Sequence, residues 1–339
     1  MNFLPLPLRE NGKGEERKVG YEIEYGNIDV SSTASLIQKL YGGDILPKHR
    51  FFHKIENTRL GDFTVTIDLS WLSEKKYNNL FARLNLDLST LSIGDVAVAK
   101  EVEDLMENIA VKVVPYEIVA PPIPVSRLPE LEELRFTLYE QAAEGTRSFP
   151  TNAFGTHINV EIPDEQPATL VNYLRAFILL YPWIVQEADI DLARSLTKFI
   201  NPFPEKYGVM IMDENYDPDL RNLILDYNEF NPSRDRPLDM YPIFKYLNHN
   251  YTDQFEGTGQ VNPRPTFHYR LPNSLIGQSD WSLAREWNTW IVVERLVQSH
   301  QLMKRWMKEY INQFHPLKFN FKKQWLEHTQ KTITNELVG

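Results

Sequence analysis

Apolar and polar residues alternate one by one over residues 19–26: Val19, Tyr21, Ile23 and Tyr25 fall on one side, Gly20, Glu22 and Glu24 on the other. A period of two marks a strand, because successive side chains point to opposite faces. The pattern returns at 63–68, where Phe63, Val65 and Ile67 oppose Thr64, Thr66 and Asp68, and at 51–56, with a turn at 57–62 between these two. It returns again at 152–162, where Phe154, Thr156, Ile158, Val160 and Ile162 oppose Gly155, His157, Asn159 and Glu161. The last clear case is 265–271, with Thr266, His268 and Arg270 facing away from Phe267, Tyr269 and Leu271. Residues 111–119 also read as a strand, and Pro115 within it lacks the N–H that a ladder needs, which predicts an edge or a bulge there.

Between the strands the apolar period lengthens to that of helices. Ser31 or Ser32 is expected to cap a helix that runs to Tyr41 and ends at Gly42-Gly43. Ser73 caps a polar helix, 96–109 forms another, and Ser126 caps one carrying Leu128, Leu131, Leu134 and Leu138. Asp164 opens an apolar helix that should be deeply buried. A long amphipathic helix follows over 280–314, and a further one over 319–337. Residues 201–262, rich in Pro, Asp, Asn and Tyr with short helical pieces near 220–230 and 240–248, have the polarity of a lid or binding loop. Residues 1–18 read as a flexible arm, and 19–339 as one domain.

If the strands share an antiparallel sheet whose apolar sides pack on helices, the fold class is α+β, and the polar sides line one surface. That surface carries Glu22, Glu24, Asp68, Glu117, His157, Asn159, Glu161, His268 and Arg270. Carboxylates two residues apart lie roughly 6.6 Å apart along a strand, close enough to converge on shared cations, and Arg neutralises phosphate. Such a face suits Mg²⁺ or Mn²⁺ with a phosphorylated substrate, and its imidazoles leave zinc open. The competing reading is the solvated side of an ordinary sheet. Asp68 can equally cap the turn into Leu69-Ser70, and Arg270 can pair with a neighbouring carboxylate. Trp281, Trp287 and Trp290, at helical spacing, suit a core or an interface. His249, His300, His315 and His328 read as incidental.

Composition narrows the classes. Thirty-six basic residues against 46 acidic ones leave a net charge of −10, which argues against nucleic acid as a general partner. With no cysteine, disulfides, thiolate metal sites and a Cys nucleophile are excluded. No basic-then-apolar leader opens the sequence, and its longest apolar run, 176–185, is interrupted by Pro182, so a cytoplasmic protein with no membrane partner is expected. The phosphate-loop, Gly-x-Gly-x-x-Gly, His-Glu-x-x-His and Gly-x-Ser-x-Gly signatures are all missing. Chemistry centred on a metal at the sheet face is what remains.

Five pieces in this order resemble the amidoligases, relatives of glutamate–cysteine ligase with a glutamine-synthetase-like carboxylate–amine ligase fold. Gly20-Tyr21-Glu22-Ile23-Glu24 is similar to the family's Gly-x-Glu-x-Glu strand, and Thr64 to Ser70 to its Asp-x-Ser strand. Tyr116 to Pro122 resembles Glu-(Ile/Leu)-Val-Ser-Pro-Pro, Gly155 to Val160 resembles Gly-x-His-x-His-Val, and Phe267 to Arg270 sits where the family has Glu-Phe-Arg. Asn159 departs from the second His, and His268 from the Glu before the Arg. The resemblance implies a curved antiparallel sheet forming a funnel for ATP and Mg²⁺. It implies a ligase that phosphorylates a carboxylate and lets an amine attack the acyl phosphate. Glu22, Glu24 and Glu117 would hold metal, with His157 and His268 as further ligands and Asn159 beside them. Arg270 would meet the transferred phosphate, with Asp68 and His268 also in the reacting group, and Arg234 and Arg236 would contact phosphate or a substrate carboxylate. Substrates would be amino acids, peptides or a peptide tag, with a glutamine amidotransferase or cyclotransferase-type partner. The two departures also admit a catalytically degenerate relative that binds nucleotide or peptide. A metal-dependent hydrolase could use the same face.

Overall fold

Strand β1 (Lys18–Tyr25) lies inside the sheet, with Val19, Tyr21, Ile23 and Tyr25 wholly buried on one face, as their alternation predicts. The computed structural model describes residues 1–49, 51–67, 115–145, 154–189, 201–248, 255, 261–313 and 321–337. Within them follow α1 (Val30–Tyr41), β2 (Asp44–His49), β3 (Phe52–Thr58), β4 (Gly61–Ile67), β5 (Tyr116–Val119) and β6 (Ile123–Pro124). After these come α2 (Leu128–Glu140), β7 (Thr156–Glu161), α3 (Pro167–Glu187), α4 (Glu205–Met212), α5 (Leu220–Phe230) and β8 (Leu238–Asp239). The chain continues through α6 (Tyr241–Leu247), β9 (Thr266–Tyr269), α7 (Leu283–Gln298), α8 (His300–Gln313) and α9 (Phe321–Glu336).

The strands form one open sheet in the order β2-β3-β4-β5-β1-β7-β9-β8, with β6 on β1, and every described pairing is antiparallel. With helices over one face, the fold is α+β. Helices α3 and α7 cover the back of β7 and β9, where the Tyr173 ring stacks on Phe267 at 4.3 Å between centroids. Trp290 packs 5.7 Å from Phe267 and 5.5 Å from Tyr269. On the other wing Tyr41 of α1 stacks on Phe63 of β4 at 5.4 Å. Burying each such side chain contributes about 1.5–3 kcal/mol, so the apolar side of every strand pins that strand's polar side outward. Helix α3 is long and apolar enough to cross a membrane, but most of its apolar residues are buried in this core.

Several local expectations are corrected. Asp29, not Ser31 or Ser32, caps α1, its carboxylate accepting the Ser32 N–H at 2.8 Å. Ser126 does not cap α2; its hydroxyl donates to Glu16, and the helix starts after Arg127 with Pro129 in its first turn. Strand β5 is not an edge: it lies between β4 and β1, its register over 116–119 is unbroken, and Pro115 immediately precedes it. The single helix expected over 280–314 is two, broken at Ser299, which ends α7. Strand β2 and helix α4 carry no clear alternation and are additions. The helices read at 73 and 96–109, residues 111–114, and Asp68 with Leu69-Ser70 lie outside the described residues.

Residues 1–18, read as a flexible arm, have defined contacts with the body. Leu4 N–H donates to Asn288 Oδ1 at 2.9 Å, Trp287 Nε1 donates to the Leu4 carbonyl at 2.8 Å, and Leu6 is buried. Arg17 is completely buried against Glu294 of α7, with Nη2–Oε1 2.9 Å apart. Its guanidinium also donates to the Glu161 carbonyl at the end of β7, which ties the start of β1, β7 and α7 together.

Candidate metal centre on the open face of the sheet

Strand register assembles the site. Glu22 stands opposite His157 of β7, Asn159 stands opposite His268 of β9, and Glu24 stands opposite Glu117 of β5. All six share the face turned away from α3 and α7. Glu22 is only 8% exposed and Glu24 9%, which sets them apart from the solvated acids of an ordinary open sheet.

The Glu22 carboxylate is the hub. Its Oε2 lies 2.9 Å from His157 Nδ1 and 3.7 Å from His268 Nε2. Its Oε1 accepts from Asn159 Nδ2 at 3.1 Å and from Arg264 Nη1 at 2.9 Å. Burial alone would raise its pKa, but His268, His157 and Arg264 outweigh that and hold the carboxyl well below its ordinary range. His268 shifts down, because burial and the nearby Arg270 disfavour the imidazolium more than Glu22 favours it. Glu24 Oε2 accepts the Gly155 N–H at 2.7 Å, and its Oε1 lies 4.0 Å from His157 Nε2.

Glu22, His157 and His268 each offer a donor atom, all within 4.8 Å of one another. The donor set fits a metal. Both nitrogens of buried His268 and the buried Oδ1 of Asn159 lack a hydrogen-bond partner, and leaving such groups unpaired costs roughly 1–3 kcal/mol each unless something binds them.

Other residues expected at the site fall around this hub or away from it. Arg270 and Arg234 converge on Asp239 of β8, which is fully buried and faces His268 in register: Arg234 Nε lies 2.9 Å and Arg270 Nη2 4.0 Å from Asp239 Oδ2. Arg236 is not brought to the group; it donates to Asn231 Oδ1 and to the carbonyls of Phe230, Asn201 and Pro202. Glu117 is on the correct face beside Glu24, one strand further from the imidazoles.

Two residues escape the sequence reading. Arg264 continues the alternation of Thr266, His268 and Arg270 one step backward, a usable signal hidden by the prolines at 263 and 265. Asp239 sits on a two-residue strand too short to show any period. Arg264 also borders a cavity of about 340 Å³ beside the hub, with Lys18, Gly20, Asn159, Glu161 and Thr266 on its walls. Arg264 Nε and Thr266 Oγ1 there are buried and unpartnered.

Residues 15–292 match a protein-family model described as "putative amidoligase enzyme". No curated protein and no solved structure matches the chain.

Proposed function

The chain belongs to the amidoligase family, and from that premise we propose that it is an ATP- and divalent-metal-dependent carboxylate–amine ligase. In this reading the open face of the sheet is the wall of a nucleotide-binding funnel. The observation that carries it is the Glu22–His157–His268 group, with both ring nitrogens of buried His268 unpartnered, set on that face within the family's matched region.

In the first step a substrate carboxylate oxygen attacks the γ-phosphorus of ATP, forming an O–P bond while ADP leaves. In the second, an amine nitrogen attacks the acyl carbon, phosphate departs, and the nitrogen loses a proton to give the amide. The bound metal would supply charge neutralisation at the phosphate oxygens. Glu22, His157 and His268 would hold that metal, with Asn159 fixing the Glu22 carboxylate. Arg270, oriented by Asp239, would sit against the transferred phosphate, and Arg234 would share that duty. The cavity beside Gly20, with Arg264 and Lys18 on its walls, has room for the carboxylate substrate. No protein nucleophile is required, because positioning and charge neutralisation carry most of phosphoryl transfer.

The test is a thermal-unfolding series with Mg²⁺, with ATP, and with both, followed by ADP release on adding amine. A ligand at about a hundred times its dissociation constant adds roughly 2.7 kcal/mol of stability. The ligase reading expects a shift that needs nucleotide and metal together and is absent in Glu22→Gln, with multiple-turnover ADP release only when carboxylate and amine are both present. A metal-dependent hydrolase is the second reading, favoured by the imidazole content of the hub; product formed without nucleotide would establish it instead.

A further inference from the structure

We propose that the Glu22–His157–His268 centre takes a single borderline transition-metal ion, of the Zn²⁺, Fe²⁺ or Co²⁺ class, in preference to Mg²⁺, with Arg264 standing where a second cation would otherwise neutralise Glu22. The inference rests on the metal-centred part of the reading above and on none of its nucleotide or amide chemistry.

Donor type is the first argument. Two imidazoles and one carboxylate form the group. Imidazole suits borderline ions, whereas Mg²⁺ takes oxygen ligands and keeps several waters. His268 is 2% exposed with neither ring nitrogen partnered, a poor site for an ion that needs an aqueous shell.

Spacing is the second. Ligand bonds of about 2.1 Å put neighbouring donors about 3.0 Å apart in an octahedron and about 3.4 Å apart in a tetrahedron. Glu22 Oε2 stands 2.9 Å from His157 Nδ1, a hydrogen bond that an incoming ion would replace, and 3.7 Å from His268 Nε2, which brackets those edges, and the three donors all lie within 4.8 Å of one another. Asn159, held beside Glu22 through Nδ2, has a buried and unpartnered Oδ1 to serve as a fourth donor.

The third argument is the state of the other carboxylate oxygen. Glu22 Oε1 already accepts from Arg264 and Asn159, which leaves Oε2, bonded among the described residues only to the candidate ligand His157, as the oxygen that can meet an ion. A guanidinium on Oε1 supplies one positive charge at the place where a carboxylate bridging two ions would meet its second metal.

The experiment is calorimetric titration of the metal-stripped full-length protein with Co²⁺, Zn²⁺ and Mg²⁺ in the absence of nucleotide, with visible spectra of the Co²⁺ complex. One Co²⁺ or Zn²⁺ is expected to bind at least about a hundredfold tighter than Mg²⁺, with a Co²⁺ spectrum that changes when His268 is replaced. His268→Glu, which exchanges a nitrogen donor for an anionic oxygen, should narrow the Co²⁺/Mg²⁺ ratio at least tenfold. Should that variant not fold, His157→Gln reads the same ratio. Equal or tighter Mg²⁺ binding in the unsubstituted protein, no ion bound by the folded protein, or a ratio unmoved in a folded His268→Glu would each overturn the proposal. A protein that binds Co²⁺ here but never consumes ATP keeps this inference and loses the ligase reading. One that consumes ATP while binding only Mg²⁺ does the reverse.

Discussion

Removing the charge of Arg17 tests the frame beneath the site. Arg17 and Glu294 are both fully buried, joined by Nη2–Oε1 at 2.9 Å and Nη1–Oε2 at 3.1 Å. Arg17 Nε and Nη2 also hold the Glu161 carbonyl at 2.9 and 2.7 Å, and Glu294 accepts further bonds from Tyr173 and Trp290. Burial would lower the Arg17 pKa, but Glu294 and Tyr173 more than reverse this and raise it. Arg17→Met therefore strands a carboxylate that keeps two neutral donors and no cation, and Glu294→Gln strands a guanidinium among carbonyls. Breaking a buried pair from one side costs about 3–5 kcal/mol, whereas removing both charges is often close to neutral. The double variant Arg17→Met/Glu294→Gln should thus cost no more than either single change, a coupling of at least about 2 kcal/mol. Guanidinium unfolding followed by tryptophan fluorescence, with midpoints and slopes for all four proteins, measures the cycle. Costs that add to within about 0.5 kcal/mol, or single changes costing less than about 1 kcal/mol, would refute the reasoning.

Two further outcomes follow from local geometry. Asp29→Ala removes the cap of α1 and should cost about 1 kcal/mol in chemical unfolding at neutral pH. Burial would raise the Asp29 pKa, but hydrogen bonds from Ser32 and Ser31 outweigh it, so the folded value is depressed. The cap's contribution is therefore full above the unfolded pKa of about 3.9 and is lost as pH falls through the lower folded value. The stability gap between the two proteins should close on acidification, and a gap unchanged down to the lowest folded pH would contradict this. Gly43→Ala places a Cβ 2.3 Å from the Glu56 carbonyl at a residue with φ of +89°, so the turn from α1 into β2 must shift. A loss of more than about 2 kcal/mol is expected, read as a fall in Tm of several degrees, and an unchanged Tm would show that the turn adapts freely.

The direction of each strand side chain was already determined by the sequence, because alternation is a property of the local backbone. Val19, Tyr21 and Ile23 could be assigned inward and Glu22 and Glu24 outward with no knowledge of partners, and the same held for His157, Asn159, His268 and Arg270. Helix α2, with Leu128, Leu131, Leu134 and Leu138, and the core helix α3 were legible for the related reason that apolar spacing states which face must be buried. Neighbours and reach were left to the tertiary structure. Register put Glu22 opposite His157 and Asn159 opposite His268, a choice made between strands more than a hundred residues apart through the burial they share with α3 and α7. The same packing brought Arg264 onto Glu22 from a proline-flanked stretch and Asp239 between two arginines from a strand of two residues. It carried Arg236 away to loop carbonyls and moved β5 from an expected edge to the interior. Pairing energy is non-local, so a pattern that fixes which way a side chain points carries no information about what it will meet.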